Sequence, residues 1–305
     1  MSHVLITGGT GLIGKELCVV LKRHGIKVSL LSRSSMTDSS YPTFLWNPAQ
    51  QTIDPEALLN VDAIVHLAGE NIGSKRWTKK RKQEVIESRV NSGQLLLNSL
   101  QQVENNVKVF ITASAIGYYG AVSTEKVYTE TDPSADDFLG TTCRLWEEST
   151  ADISNLGIRV VTLRMGVILS SLGGALSKLL LPVKLGLGSK LGSGNQYMPW
   201  IHKVDMVNII FMALQNEKMV GVYNSTAPES VTNSSFIKIL AKTIKKPLLL
   251  PGVPAFILRS VLGEMSKMIL EGSRVSSDKL IGQGYKFEYP KLEKALDNLM
   301  NTGHD

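Results

Sequence analysis

Short apolar runs alternate with longer stretches of helical spacing through the first two thirds of this chain. Val4-Leu5-Ile6 runs into the turn Thr7-Gly8-Gly9-Thr10-Gly11-Leu12-Ile13-Gly14, after which Leu17, Val20 and Leu21 recur on one helical face. Val28-Ser29-Leu30-Leu31 reads as a second strand, and Thr43-Phe44-Leu45-Trp46 as a third ended by Asn47-Pro48. Ala63-Ile64-Val65-His66-Leu67 reads as a fourth, opening into a loop at Ala68-Gly69. The spacing of Val85, Ile86, Val90, Leu95 and Leu97 predicts a helix over about 78–100. A fifth strand is expected over Val107 to Thr112, a helix over about 138–156, and a sixth strand over Ile158 to Leu163. Strands and helices that alternate in this way argue for a parallel sheet with right-handed crossovers.

The pattern changes near Gly166. Seven glycines fall between Gly166 and Gly194, and long glycine-rich connections in compact domains are usually functional loops or lids. Residues from about 166 to 201 are therefore expected to form a loop on the substrate side. A helix over about 204–215, a strand at Val222-Tyr223-Asn224 and a helix over about 232–246, capped by Thr232 or Asn233, follow. Pro247, Pro251 and Pro254 then mark a boundary. Residues 1–247 are expected to form one domain and 248–305 a small, mostly helical cap.

The glycine turn carries chemistry. A dinucleotide pyrophosphate needs a tight turn, a backbone it can approach closely and a helix N-terminus aimed at its charge. Gly8, Gly11 and Gly14 supply the first two by lacking a Cβ, and the following helix supplies the third. The fold class is accordingly α/β, a Rossmann-type doubly wound parallel sheet with a small C-terminal substrate-side domain. In such folds the end of the second strand meets the adenosine ribose, where Asp or Glu would bind a 2′-hydroxyl and repel a 2′-phosphate. Ser32-Arg33 stands there instead. A permanently charged planar fork beside a hydroxyl suits phosphate, so NADP(H) is expected over NAD(H).

Composition narrows the class. The chain has 305 residues, 43% hydrophobic and 20% charged, as in ordinary globular proteins. No apolar run approaches membrane-spanning length, and Met1-Ser2-His3 leads directly into the first strand, so neither a signal peptide nor a membrane partner is expected. Cys18 and Cys143 make no disulfide framework, which points to a reducing cytoplasm. Six of the eight residues from Lys75 to Lys82 are basic within a net charge of +6. Either they form the solvated start of a long helix, or an electrostatic lip over a phosphate-bearing ligand. Nucleic acid is disfavoured, because no recognised nucleic-acid module accompanies the patch.

The glycine turn, the strand His66-Leu67-Ala68-Gly69 and Ser114-Ala115-Ile116-Gly117-Tyr118-Tyr119-Gly120 resemble the extended, epimerase-like short-chain dehydrogenases/reductases. Leu67-Ala68-Gly69-Glu70-Asn71-Ile72 with Arg76-Trp77, Gly192-Ser193-Gly194-Asn195-Gln196 with Pro199-Trp200-Ile201-His202, and Leu270-Glu271-Gly272 are similar to an atypical group within them. That group comprises NAD-dependent epimerase/dehydratase family proteins, described as nucleoside-diphosphate-sugar epimerases, with a C-terminal domain of their own. The likeness runs over essentially the whole chain and implies bound NADP(H). On matching positions it implies Gly8, Gly11, Leu12, Ile13 and Gly14 at the pyrophosphate, and Ser32 and Arg33 at the 2′-phosphate. It implies Leu67, Ala68 and Gly69 along the adenine side of the crevice. Glu84, Arg89 and Ile168 are implied near the nicotinamide half, although Glu84 also reads as an ordinary exposed helix residue.

Relatives of that superfamily that run redox chemistry carry a Tyr and, four residues later, a Lys on one helix. The Lys lowers the phenol pKa, and the Tyr trades a proton with substrate. Here Cys143 and Glu147 occupy those places. A neutral thiol beside a carboxylate makes a poor acid, so the standard proton relay is absent. Ser114 is retained to orient a substrate oxygen, and one of Tyr118 and Tyr119, or His202, is the candidate replacement acid, each also readable as a packing or hydrogen-bonding residue. Arg164, ending the sixth strand, either meets the nicotinamide side or a substrate anion, or anchors its loop. His202 and Asp205 are too few for a metal site. The expected function is an NADP(H)-binding oxidoreductase or sugar-nucleotide epimerase-like protein, acting on a carbonyl or nucleotide-sugar compound, possible as a homodimer. The alternative is a non-catalytic NADPH sensor.

Overall fold

The computed structural model describes residues 1–34 and 40–301. In chain order the strands are β1 (His3–Thr7), β2 (Lys27–Ser32), β3 (Thr43–Asn47), β4 (Thr52–Ile53), β5 (Ala63–His66) and β6 (Val109–Ala115). They continue with β7 (Val127–Tyr128), β8 (Arg159–Met165), β9 (Val167–Ser170), β10 (Trp200–His202), β11 (Gly221–Ser225) and β12 (Arg274–Val275). The helices are α1 (Leu12–Arg23), α2 (Lys79–Gln102), α3 (Phe138–Ala151), α4 (Gly174–Lys184) and α5 (Lys203–Gln215). After them come α6 (Asn233–Thr243), α7 (Ala255–Leu262), α8 (Lys267–Leu270), α9 (Asp278–Gly282) and α10 (Leu292–Asn301).

Eight strands form one sheet in the order β11-β8-β6-β5-β1-β2-β3-β4. Every pairing is parallel except the antiparallel β3–β4 edge. This is the doubly wound α/β arrangement expected from the alternation. The two-residue strand β4 is too short to leave a periodic signal, and its position before β5 shifts the count of later strands by one.

The strands are buried on both faces, which is why they read as apolar runs without alternation. Val4 and Ile6 of β1 pack with Leu17 and Leu21 of α1 and with Ile209 and Ile210 of α5. Leu5, facing the other way, joins Ile64 and Phe110 against Leu95, Leu96 and Leu100 of α2. The sheet order reverses direction at β1, where β2 and β3 lie on one side and β5 on the other. Ligands of open α/β sheets bind at that point, beyond the strand carboxyl ends.

The glycine-rich stretch differs from the expected loop. It holds β9, an eleven-residue helix α4 with Pro182 inside it, and β10, which pairs with β9 in parallel. Its apolar residues Leu176, Leu180 and Val183 are buried with Phe236, Ile237 and Leu240 of α6. Glycines here break up a folded substructure rather than signal its absence. Leu292, Leu296 and Leu299 of α10 complete that same core, and β12 pairs with β7. The C-terminal segment is thus sewn into the body through both α10 and β12.

Candidate functional site

A cavity of about 820 Å³ opens at the carboxyl ends of β1, β2 and β5. Its floor is the glycine turn. Gly8 has φ +71°, and a Cβ there would stand 2.9 Å from the Ala68 nitrogen and the Leu67 carbonyl carbon. A Cβ on Gly14 would stand 2.3 Å from the Gly8 oxygen, so α1 starts against the turn itself. The first turn of α1 carries no acidic residue, and its cap Gly11 offers no side chain to the helix N–H groups. A backbone cradle with free donors at a positive helix end fits an anion such as a pyrophosphate.

Buried polar groups hold this cradle against β5. Thr7 Oγ1 accepts from the Leu67 and Ala68 N–H groups at 3.2 and 3.1 Å. It also lies 2.7 Å from His66 Nδ1, whose other ring nitrogen lies 3.2 Å from Ser92 Oγ. The Ser92 hydroxyl donates to the Ser88 carbonyl at 2.8 Å. Complete burial, reinforced by the Arg89 charge, pushes the His66 pKa down to about 3, so the ring is neutral.

At the other end of the cavity Arg33 follows β2 with its side chain 75% exposed and its Nη1 donating to Glu70 Oε1 at 3.4 Å. Glu70 turns its second oxygen to Arg81, which donates from Nη1 and Nη2 at 3.1 and 3.2 Å. Arg81 also bonds Glu84 at 3.1 Å and the Asn71 carbonyl at 2.8 Å. Burial alone would raise the Glu70 carboxyl, but the bonds and charges of Arg81 and Arg33 bring it below its ordinary value. Gly8, Gly11, Ser32, Arg33, Leu67, Ala68, Gly69 and Glu84 all line the cavity. Trp46, Asn47 and Pro48 line it too, as do Glu70, Lys75 and Arg81. These six stand at the end of the neighbouring strand β3, in the loop after β5 and at the start of α2, and Lys75 and Arg81 among them belong to the basic run offered as a lip over the ligand.

The remaining predicted cofactor residues stand behind the lining. Ile13 and Gly14 are buried in the first turn of α1. A Cβ added to Gly174 would meet both Leu12 Cδ2 and the Ile168 carbonyl oxygen at 3.6 Å, which brings those two residues to one place. Arg89 lies along Gly69, with its guanidinium 4.7 Å from the Trp146 ring centre and Nη1 donating to the Val85 carbonyl at 3.0 Å.

A second constellation gathers at the ends of β6 and β8. The Ser114 hydroxyl donates to Glu147 Oε1 at 2.6 Å. Arg164 grips the same carboxylate through Nε and Nη2, and its Nη1 donates to the Tyr119 hydroxyl at 3.0 Å. Tyr119 in turn donates to Asn224 Oδ1 at 2.7 Å. The Arg164 guanidinium lies 3.3 Å from the Tyr118 ring centre. Burial opposes charge on Arg164, but the Glu147 bonds outweigh it and raise its pKa above the ordinary value. Burial pushes Tyr119 up to about 12. It does the same to the Cys143 thiol, at about 12, with the Arg89 charge acting the other way. Cys143 is therefore a neutral thiol, and Arg164 is a committed half of an ion pair rather than a free anion receptor.

His202 is placed differently from a substrate-facing acid. Its side chain is fully buried, Nδ1 accepts the Val204 N–H at 3.2 Å to cap α5, and the ring lies 3.9 Å from that of Tyr289. Burial, with Lys203 adding to it, lowers its pKa to about 4. Asp205 is likewise buried, accepting from the Tyr285 hydroxyl and the Glu288 and Tyr289 N–H groups at 2.7, 2.8 and 3.0 Å. Both residues fasten the C-terminal segment.

The basic stretch is partly occupied within the chain. Lys82 pairs with Glu264 at 2.8 Å, and Arg76 donates to the Ser260 carbonyl at 3.3 Å. Arg81 is buried in the Glu70–Glu84 cluster described above. Among the described residues no helix is long and apolar enough to cross a membrane.

Comparison with known proteins agrees with this geometry. Residues 4–225 match the NAD dependent epimerase/dehydratase family, and residues 253–299 match a domain of unknown function, DUF1731. The epimerase family protein YfhF of Bacillus subtilis is 38% identical over 300 residues, covering 98% of both chains. A crystal structure of the human epimerase family protein SDR39U1, isoform 2, with NADPH superposes with a TM-score of 0.88 at 32% identity. That match covers 98% of this chain and 99% of the other. The fold, the glycine cradle at the sheet's switch point and the full-length matches make this chain a member of the NAD dependent epimerase/dehydratase family.

Proposed function

We propose that this chain binds NADP(H) and uses it as an oxidoreductase, or an epimerase-like enzyme, on a small carbonyl or nucleotide-sugar compound. The observation that carries the cofactor is Arg33, exposed at the end of β2 and, among the described residues, paired with Glu70 at 3.4 Å. It is a guanidinium free to turn to a 2′-phosphate, with Ser32 beside it. The NADPH complex of human SDR39U1 supports the same reading. Gly8, Gly11 and the N–H groups of α1 would hold the pyrophosphate. The nicotinamide, when bound, supplies or takes up hydride.

The chemistry rests on an unusual pair. Ser114 keeps its superfamily place, but its proton points at Glu147, so its oxygen is oriented and its lone pairs face away from that carboxylate. In this proposal Ser114 positions the substrate oxygen, Glu147 and Arg164 brace Ser114, and Tyr118 is the acid. Cys143, neutral and buried, takes no proton. A second reading is favoured by that same thiol and by Glu147 at the Tyr and Lys places: an NADPH sensor without turnover.

A panel of carbonyl and nucleotide-sugar compounds, followed by NADPH absorbance with purified protein, separates the two. Turnover of any member that Ser114→Ala abolishes supports the enzyme. Tight NADPH binding with no turnover across the panel supports the sensor.

A further inference from the structure

Outside the cofactor site the most unusual surface is apolar. Each large apolar side chain exposed by more than 60% among the described residues falls in two segments. They are Leu172, Leu181 and Leu185 on or beside α4, and Leu249, Phe256 and Val261 on or before α7. Helix α7 buries none of its eight residues, although its sequence AFILRSVL is mostly apolar. An amphipathic element with its apolar side in water marks an interaction surface.

The two segments lie side by side. Val253 N–H donates to the Lys190 carbonyl at 2.8 Å, and Gly192 N–H to the Val253 carbonyl at 2.9 Å. A Cβ on Gly188 would meet Leu248 Cδ2 at 2.9 Å, so the turn after α4 is packed against the strand-like run before α7.

Charge selects the occupant. Residues 153–204 and 230–263 contain no Asp or Glu at all, in a chain with 27 acidic residues. Lys184, Lys190, Lys245, Lys246 and Arg259 are exposed among the apolar side chains. Folded protein surfaces usually mix both signs. Leucines and a phenylalanine set among lysines and an arginine, in two segments that carry no carboxylate of their own, match an anionic lipid headgroup layer over hydrocarbon, where each basic residue and each buried methylene adds to binding.

We propose that this face docks on the surface of a bilayer containing anionic lipid, inserting the Leu249 and Phe256 side chains into the headgroup boundary. This is peripheral attachment and needs no spanning helix. The face also adjoins the cofactor cavity, because Lys178 of α4 donates to the Gly73 carbonyl at 2.8 Å in the loop between Glu70 and Lys75.

The test is sedimentation of the full chain with vesicles of phosphatidylcholine alone or with about one third phosphatidylglycerol. Binding is expected only to the anionic vesicles, weakening as salt rises from about 0.1 to 0.5 M. Leu249→Ser with Phe256→Ser, and separately Leu181→Ser with Leu185→Ser, should each lower binding about tenfold or more. Lys245→Gln with Lys246→Gln should lower it less and flatten the salt dependence. Circular dichroism and thermal melting of each variant, unchanged from the parent, show that folding is intact. The proposal is overturned if the parent chain ignores anionic vesicles, or if the serine variants bind as the parent does. It is equally overturned if light scattering finds a dimer that these variants dissociate, which would give the face to a second copy.

Discussion

Glu147 holds Arg164 with both carboxylate oxygens, each accepting a guanidinium N–H at 2.8 Å, where the arginine side chain is 3% exposed. Removing one partner of such a pair strands the other without solvent. Glu147→Ala should cost roughly 3–5 kcal/mol in urea denaturation. Glu147→Gln, which retains an acceptor, should cost less. A loss under about 1 kcal/mol for the alanine variant would show that the pair does not brace the ends of β6 and β8.

The same pair should resist a tyrosine and a lysine placed at positions 143 and 147. Cys143→Tyr with Glu147→Lys would set an ammonium against the buried Arg164. We expect that double variant to be less stable than Glu147→Ala alone, read as a lower urea midpoint. A midpoint at or above that of Glu147→Ala refutes this.

Coenzyme preference should follow Arg33. Arg33→Ala is expected to weaken NADPH binding by about tenfold or more while leaving NADH nearly unchanged, as loss of a charge-assisted phosphate contact predicts. Fluorescence titration of both nucleotides gives the ratio. An unchanged ratio removes Ser32-Arg33 from the 2′-phosphate assignment.

Acid should destabilise the fold through two histidines. Burial holds His66 at about 3 and His202 at about 4, below the ordinary 6.5 they regain on unfolding. Their contribution is complete above 6.5, falls as pH drops through that value, and is lost by the folded values. Between neutrality and about pH 5 each should cost about 2 kcal/mol. His202→Asn keeps a good helix cap without a titrating ring, so its stability should vary less with pH than that of the parent. An identical slope in both proteins would falsify the assignment to His202.

The cradle is steric. A Cβ on Gly14 would stand 2.3 Å from the Gly8 oxygen and 2.6 Å from the Gly9 Cα, and backbone cannot move aside as a side chain can. Gly14→Ala should lower stability by about 1–3 kcal/mol and weaken nucleotide binding. Gly282→Ala, with open space around it, serves as the tolerated comparison. Equal tolerance at both positions is the refuting outcome.

What was legible in the sequence was whatever rests on local chemistry. Val4 to Gly14 announces strand, turn and helix because each residue there is constrained by its immediate neighbours, and the parallel sheet follows from the repeating alternation. The stretch from Gly166 to Gly194 was less legible. Its glycines read as a loop, while Leu176, Leu180 and Val183 owe their burial to α6 and α10, which are distant in the chain. His202 misled for a related reason. A histidine beside an aspartate reads as chemistry until Tyr285, Glu288 and Tyr289 are seen bonding to Asp205. Glu70 stood in a resembling motif and Arg81 in a basic run, but neither pattern told what they bond, and only the fold brings them to Arg33.

Asp205 has a consequence for how the molecule is divided. Its carboxylate sits in α5, inside the part matched to the epimerase family, yet its three donors come from residues 285 to 289, inside the part matched to DUF1731. A fragment ending near residue 247 would keep that acid in its interior and lose its donors, together with the α10 leucines that close the α4–α6 core. The two matched regions thus share one buried acid and one core, so the boundary between the matches is not a boundary in the packing.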